Sequence, residues 1–365
     1  MTASKSLAKD TRLILVIVML SLVAYGLWQS VLPWRAEYYY RKGFVENTYR
    51  KYNESISSLD RAMKYAPWET YYLITQVRNY EELSRQNQNP DEQRKWLLKA
   101  KNTYDYMLRI NPTNPWYWSG LASIELGLFN MSPTPQERKA HFEAAGKAYS
   151  EAARIDRLNP LFQMSLAYYD HRSGKLDDAY KLYESCIRLD KDFVEALYNM
   201  AEIDIIRGKL DSAVEKFEQI VSADRANYDP STKTYSPWVK GGDFNGYRTR
   251  LAEIYLSQHK FKSAIDTFKW ALELHPEDSR IWRGLGVAYH QDGQSELAAY
   301  AYKQATMFNP DMQDVNKYQA YLYYNMGLLN SAIENLRQYS QMNPGDEKAR
   351  SDLERMIMMS RYKAR

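Results

Sequence analysis

One stretch constrains this chain more than any other: Trp282 to Pro310. It carries Trp282, Leu285, Gly286 and Tyr289, then Ala298, Tyr302 and Ala305, and stops at Pro310. Residues three and four apart share a helical face, so the two sets predict two amphipathic helices joined by a turn. Small residues let the two backbones approach, rings fill the space beside them, and Pro310 ends the second helix. Such a hairpin buries its apolar face only against neighbours of the same kind.

The neighbours are present. The second-helix pattern recurs as Ala332-Leu336-Tyr339, Ala264-Phe268-Ala271, Ala213-Phe217-Ile220, Ala179-Tyr183-Cys186, Ala145-Tyr149-Ala152, Ala100-Tyr104-Met107 and Ser55-Leu59-Ala62. Prolines follow several of them, at Pro344, Pro276, Pro112 and Pro67. The pattern and its period of about 34 residues resemble the tetratricopeptide repeat (TPR). The expected fold class is therefore all-α, a TPR-type helix-turn-helix solenoid. The resemblance implies a right-handed superhelix of about eight units over residues 35–346, with a capping helix at 347–365. In that cap, Met356, Ile357, Met358 and Met359 are expected to face the last repeat.

The chain has an apolar beginning. After a short polar tail (1–12) with Lys5, Lys9 and Arg12, residues 13–34 carry no charge. That is enough to cross a bilayer, with Tyr25, Trp28 and Trp34 toward one interface. The expectation is one N-terminal transmembrane helix, retained as an anchor rather than cleaved as a secretory signal. Arg35, Arg41 and Lys42 nearly balance the charges before it, which leaves both orientations open. We expect a bacterial inner-membrane protein with a periplasmic repeat domain.

The repeats are interrupted once at length. Residues 226–246 contain Pro230, Pro237 and several glycines without helical periodicity. An insertion of this length inside an array is uncommon and is either functional or disordered. Its rings, Tyr228, Tyr235, Trp238 and Phe244, favour a folded binding element or a connection packed on the array over plain disorder.

No catalytic constellation emerges. The five histidines fall in different repeats without zinc-ligand spacing and read as loop or surface residues. Gly284 and Gly286 lack the third glycine of a phosphate-binding loop. The lone Cys186 occupies a core position and reads as structural. No cofactor or metal is expected. A net charge of +4 argues against a dedicated nucleic-acid binder.

Recognition is the remaining class. The first helix of each repeat lines the inner face of such an array. Alignment of the units places Tyr40, Phe44, Tyr71, Trp116, Tyr168, Tyr198, Glu202, Arg250, Glu253, Arg283, Lys317 and Tyr321 there. Tyrosine, at 32 residues, and arginine suit binding surfaces because each joins apolar area to a polar tip. Partner proteins or peptides are expected on this face. The Lys and Asn clamp of chaperone-binding TPR proteins is matched here only by Asn199. The stretches Trp34 to Tyr38, Ile110 to Pro112 and Asn114 to Trp118 are also similar to exported TPR segments of O-antigen polymerase and ligase-like proteins. That second likeness implies an accessory role in envelope polysaccharide synthesis, with groove rings stacking on sugars.

Overall fold

A computed structural model describes residues 2–191, 193–229, 234–235 and 244–363; side chains at 2–16, 24, 27, 29, 223–245 and 363 lie outside it. The chain divides into two compact units, Met1–Ala179 and Tyr180–Arg365. The first runs through α1 (Thr2–Thr48), α2 (Tyr52–Tyr65), α3 (Tyr71–Gln86), α4 (Pro90–Ile110), α5 (Pro115–Met131), α6 (Pro135–Ile155) and α7 (Pro160–Arg172). The unit boundary falls inside α8 (Leu176–Leu189). The second unit continues with α9 (Val194–Ile206), α10 (Leu210–Asn227), α11 (Phe244–Ser257), α12 (Phe261–Leu274) and α13 (Ser279–Gln291). It ends with α14 (Ser295–Phe308), α15 (Gln313–Asn325), α16 (Leu329–Met342) and α17 (Glu347–Lys363).

The hairpins form for the reason the pattern suggests. Each second helix turns its small residues inward: Ala62, Ala100, Ala145, Ala213, Ala264, Ala298 and Ala332 are fully buried. A ring or long aliphatic side chain lies one turn away, as in Leu59, Phe217, Phe268, Tyr302 and Leu336. At the seam between α13 and α14 the approach is close. A Cβ added to Gly286 would lie 2.5 Å from the Tyr302 ring, so only glycine fits. Full burial of one such side chain contributes about 1.5–3 kcal/mol, repeated at every seam.

The turns differ between repeats. Where the chain reverses over two or three residues, one of them sits in the left-handed region: Gly174, Gly208, Gly293 and Gly327, but also Arg50 and His259, both at φ 58°. The hairpins α3/α4 and α5/α6 turn instead on prolines, with Asn89 and Thr134 accepting from the backbone N–H groups of Asp91 and Glu137 as N-caps.

The polar tail, the apolar stretch and the start of the first repeat form one continuous helix, α1, from Thr2 to Thr48, running through Pro33. Some expectations need correction. Among the described residues, no helix is long and apolar enough to cross a membrane. The expected span begins at Leu13, and its first side chains lie outside the description. From Ile17 to Val23 the side chains are exposed on every face of α1. The 226–246 insertion is not wholly irregular. Helix α10 extends into it as far as Asn227, and β1 (Tyr228–Asp229) pairs antiparallel with β2 (Thr234–Tyr235). This two-residue ladder leaves the chain in the expected all-α class. In α17, Met356 is buried and Ile357 partly so, and Met359 accepts from the Tyr324 hydroxyl of α15, but Met358 points to solvent, because four consecutive residues cannot share one helical face.

The left-handed turns give a stability test. Non-glycine residues in that region cost about 1–2 kcal/mol. Replacing Gly293 by Ala should lower stability by about 1 kcal/mol, whereas His259→Gly should be neutral or stabilising by up to about 1 kcal/mol. Urea unfolding followed by circular dichroism reads both.

Candidate partner-binding surface

Four of the expected inner-face residues come together in the second unit. Tyr198 of α9, Arg250 and Glu253 of α11, and Arg283 of α13 line one cavity of about 560 Å³. Sequence reasoning missed the rest of its wall, which includes Tyr247, Thr249, His275, Asp278, Arg280 and Ile281. Asp278 and Arg280 sit at the start of α13, after the Pro276 stop, where the repeat pattern carries no instruction. The signal that could have found them is position: the loop after each second helix lies at the rim of the next first helix.

The charges of the cavity are pinned to one another. Arg250 forks onto Glu202, Nε at 2.9 Å and Nη2 at 3.2 Å, and its Nη1 reaches Glu253 at 3.1 Å. The Glu202 hydrogen bond is the main reason the guanidinium is held above its ordinary range. Arg283 donates to Asp314 at 2.8 Å. Asp278 N-caps α13 by accepting from Arg280 N, and also takes the Arg280 side chain at 2.9 Å. Burial alone would raise its carboxyl, but the Arg280 hydrogen bonds outweigh that and lower it. Burial, followed by the Glu202 carboxylate, raises the Tyr198 phenol. Beside the cavity, Arg248 is fully buried with its guanidinium 3.6 Å over the Trp270 ring, a cation–π contact in a desolvated setting.

The other expected residues are placed differently. Tyr40 is buried, its ring 5.2 Å from that of Tyr71, and burial is the main cause that pushes its phenol up to about 12. It is a packing residue of the first unit, while Tyr71 and Phe44 stay exposed. Trp116 is exposed, packs edge-on against Phe162 and borders a smaller cleft of about 260 Å³ with Tyr104 and Tyr117. Tyr168 is exposed under the Arg172 guanidinium. Lys317 and Tyr321 are not open to a partner in the way expected. Lys317 donates to Asp346 at 2.6 Å and Tyr321 to Asp352 at 2.9 Å, so the last helix occupies them. The side chains of Tyr235 and Phe244 are outside the description, and Trp238 lies outside the described residues.

His141 also departs from the surface reading. It bonds Glu125 at 2.5 Å, and Glu125, only 3% exposed, takes Lys101 at 3.3 Å. Its place on one face of α6 was legible, but the carboxylate opposite it was not. Cys186 is buried, and burial pushes its thiol up to about 12, which suits a structural residue. Among the described residues, no cluster of His, Cys, Asp and Glu is placed to hold a metal ion.

Asp346 joins three elements: it accepts from Ala349 N at the start of α17, from Lys317 of α15, and from the Tyr339 hydroxyl of α16 at 2.9 Å. The Lys317 bond, then the Ala349 N–H, hold its carboxyl well below the usual carboxylate range. A depressed folded pKa contributes stability that is complete above the unfolded value, about 4, and is lost as pH falls through the folded one. Amide exchange in α17, corrected for intrinsic rates, should stay slow from neutral pH down to about 4 and accelerate below it. Asp346→Ala should show the fast exchange already at pH 7.

A family model described as "Tetratricopeptide repeat" matches residues 249–312, which contain most of the cavity wall. Superkiller protein 3 of Schizosaccharomyces pombe is 34% identical over 93 residues, 26% of this chain and 7% of that protein. The peroxisomal targeting signal receptor of Kluyveromyces lactis is 30% identical over 86 residues, 24% of this chain and 15% of that protein. The chain thus spans a small part of either relative's length. Among solved structures, the C-terminal part of a TPR repeat-containing protein from Cytophaga hutchinsonii covers 75% of this chain and 98% of its own, with TM-score 0.55 and 15% identity. That likeness is one of fold. Residues 249–312 match the tetratricopeptide repeat, and helical hairpins of similar build lie before and after them.

Proposed function

We propose that this chain is a non-enzymatic, membrane-anchored TPR scaffold. The cavity between α9, α11 and α13 binds a partner protein or peptide, and α1 holds the array at a membrane. The setting is assembly of a bacterial envelope complex for secretion, surface-polymer export or motility, with the repeats on the periplasmic side. The observation that carries the binding half is the pinned charge set of Glu202, Arg250, Glu253, Asp278 and Arg283. Side chains fixed before the partner arrives lose little entropy on binding, and charges of both signs select a complementary partner. The anchoring half rests on the uncharged run 13–34 and on the exposure of Ile17 to Val23 around the whole circumference of α1. A helix apolar on all sides, with no protein packed on it, fits a bilayer rather than water.

A second reading has its own observation. Trp116 is 57% exposed beside a cleft lined by Tyr104 and Tyr117, a geometry in which rings can stack on sugars. In that reading the chain is a glycan-binding accessory of envelope polysaccharide synthesis.

The test uses the full-length chain in its own membranes, with a photo-reactive residue at Tyr198 or, as a control, at exposed Lys303 of α14. The expected result is a chain that stays in the pellet after an alkaline carbonate wash and that cross-links one discrete protein from Tyr198 but not from Lys303. Release by the wash overturns the anchor, and cross-linking that does not depend on position overturns the cavity. Saturable binding of an envelope oligosaccharide, abolished by Trp116→Ala, selects the second reading instead.

A further inference from the structure

Because α1 enters the first repeat as one unbroken helix, the edge of the first unit from which its N-terminal half departs is fixed. Each hairpin there begins its first helix and ends its second at the same edge. Side-chain contacts run along that edge from repeat to repeat. Arg35, at the exit of the apolar segment, lies over the rings of Trp28 and Tyr65, and Tyr65 ends α2. The Tyr106 hydroxyl of α4 donates to the Pro67 carbonyl. The hydroxyls of Thr70 and Tyr117 meet at 3.0 Å, and Trp116 packs on Phe162 of α7. The loops 66–70, 111–114 and 156–159 therefore share the edge at which the apolar helix leaves.

That edge carries an exposed apolar residue at each step: Trp34 (79%), Trp68 (58%), Ile110 (42%) and Leu158 (79%). A single exposed side chain of this kind needs no explanation, but one per repeat along one edge does. Lys64, Arg109 and Arg157 are exposed among them, whereas the carboxylates Glu69 and Asp156 are half-buried, and Glu151 is taken by Arg154 at 2.8 Å. Outward charge on this edge is thus positive. The opposite edge turns on Asn87-Gln88-Asn89 and Ser173-Gly174-Lys175, with Tyr49 its exposed ring.

We propose that the loop edge of the first unit lies on the membrane surface and binds anionic phospholipid headgroups. This rests on the anchored reading of α1. Interfacial rings and exposed cations are the side chains that favour the headgroup region, and the edge is continuous with the apolar helix that enters it. The repeats then lie along the bilayer instead of swinging from it, and the first unit loses much of its freedom to rotate.

The test reconstitutes the full-length chain into vesicles of phosphatidylcholine, with or without phosphatidylglycerol. Buried Cys186, its thiol pushed up to about 12, should not label, so a polarity-sensitive dye can be placed at Leu158→Cys or, on the opposite edge, at exposed Gln88→Cys. The expected result is a blue shift of the Leu158 dye on phosphatidylglycerol vesicles, lost in phosphatidylcholine alone and in about 0.5 M salt, where charge attraction is strongly screened. The Gln88 dye should not shift. Chain that floats with vesicles while its Leu158 dye stays in water, or while both dyes shift alike, overturns the edge assignment and leaves the anchor standing. Chain that fails to float overturns the anchor and this proposal with it.

Discussion

The structure depends on one constraint: backbones of adjacent helices must approach closely enough for a ring on one to press against a glycine or alanine on the next. Gly286 against Tyr302 is one such contact in the second unit, and Gly120 against Tyr104 and Gly146 against Tyr169 play the same part in the first. Each seam is short, so each hairpin gains its stability from its immediate neighbours and little from anything farther along. Buried polar groups then set register at particular seams. Asn79, fully buried, bonds Ser55 and Asn47 across three helices, and Asp204 takes Lys216 at 2.7 Å and Ser212 at 2.8 Å. Removing one partner from such a group is costly, since the other is left unsatisfied away from water.

A chain held together in this way leaves the outer ends of its first helices free for other work. In the second unit those ends carry ion pairs that reach from one first helix to the next, such as Arg250 to Glu202 and Arg283 to Asp314. The same kind of pair closes the array, where Lys317 holds Asp346 at the start of α17. One device thus serves two ends: where a further helix follows, it docks that helix, and where the first helices leave a cavity, it fixes the charges around it. In the first unit, α1 makes the transition from exposed apolar surface to buried core without a flexible joint, because Ala36 and Tyr40 are already packed only a few residues after Trp34.

The hairpins were legible because their signature is local. Ala264-Phe268-Ala271 and Ala298-Tyr302-Ala305 each state, within two turns of helix, which face is buried, and all six residues are. The surface was only partly legible. Tyr198, Arg250, Glu253 and Arg283 were placed together by aligning repeats, but alignment could not show that Lys317 and Tyr321 face α17, since the capping helix lies outside the repeat count. Nor could it separate buried Tyr40 from exposed Tyr71, which differ in what packs beside them and not in spacing. His141 and Glu125 lie in different helices, and their pairing depends on the rotation of one helix against the other, which no single-helix pattern encodes. The short pairing of Tyr228–Asp229 with Thr234–Tyr235 lacked the alternation of a longer strand and was unreadable for that reason.

The claim that each hairpin is held by its neighbours through small-residue seams is tested most directly by Gly286→Leu, followed by native-state hydrogen exchange across the whole chain. The account predicts loss of protection in α13 and α14, a smaller loss in α12 and α15 which pack on them, and unchanged exchange in α1 to α6. Protection lost uniformly along the chain, or unchanged in α14, would contradict it.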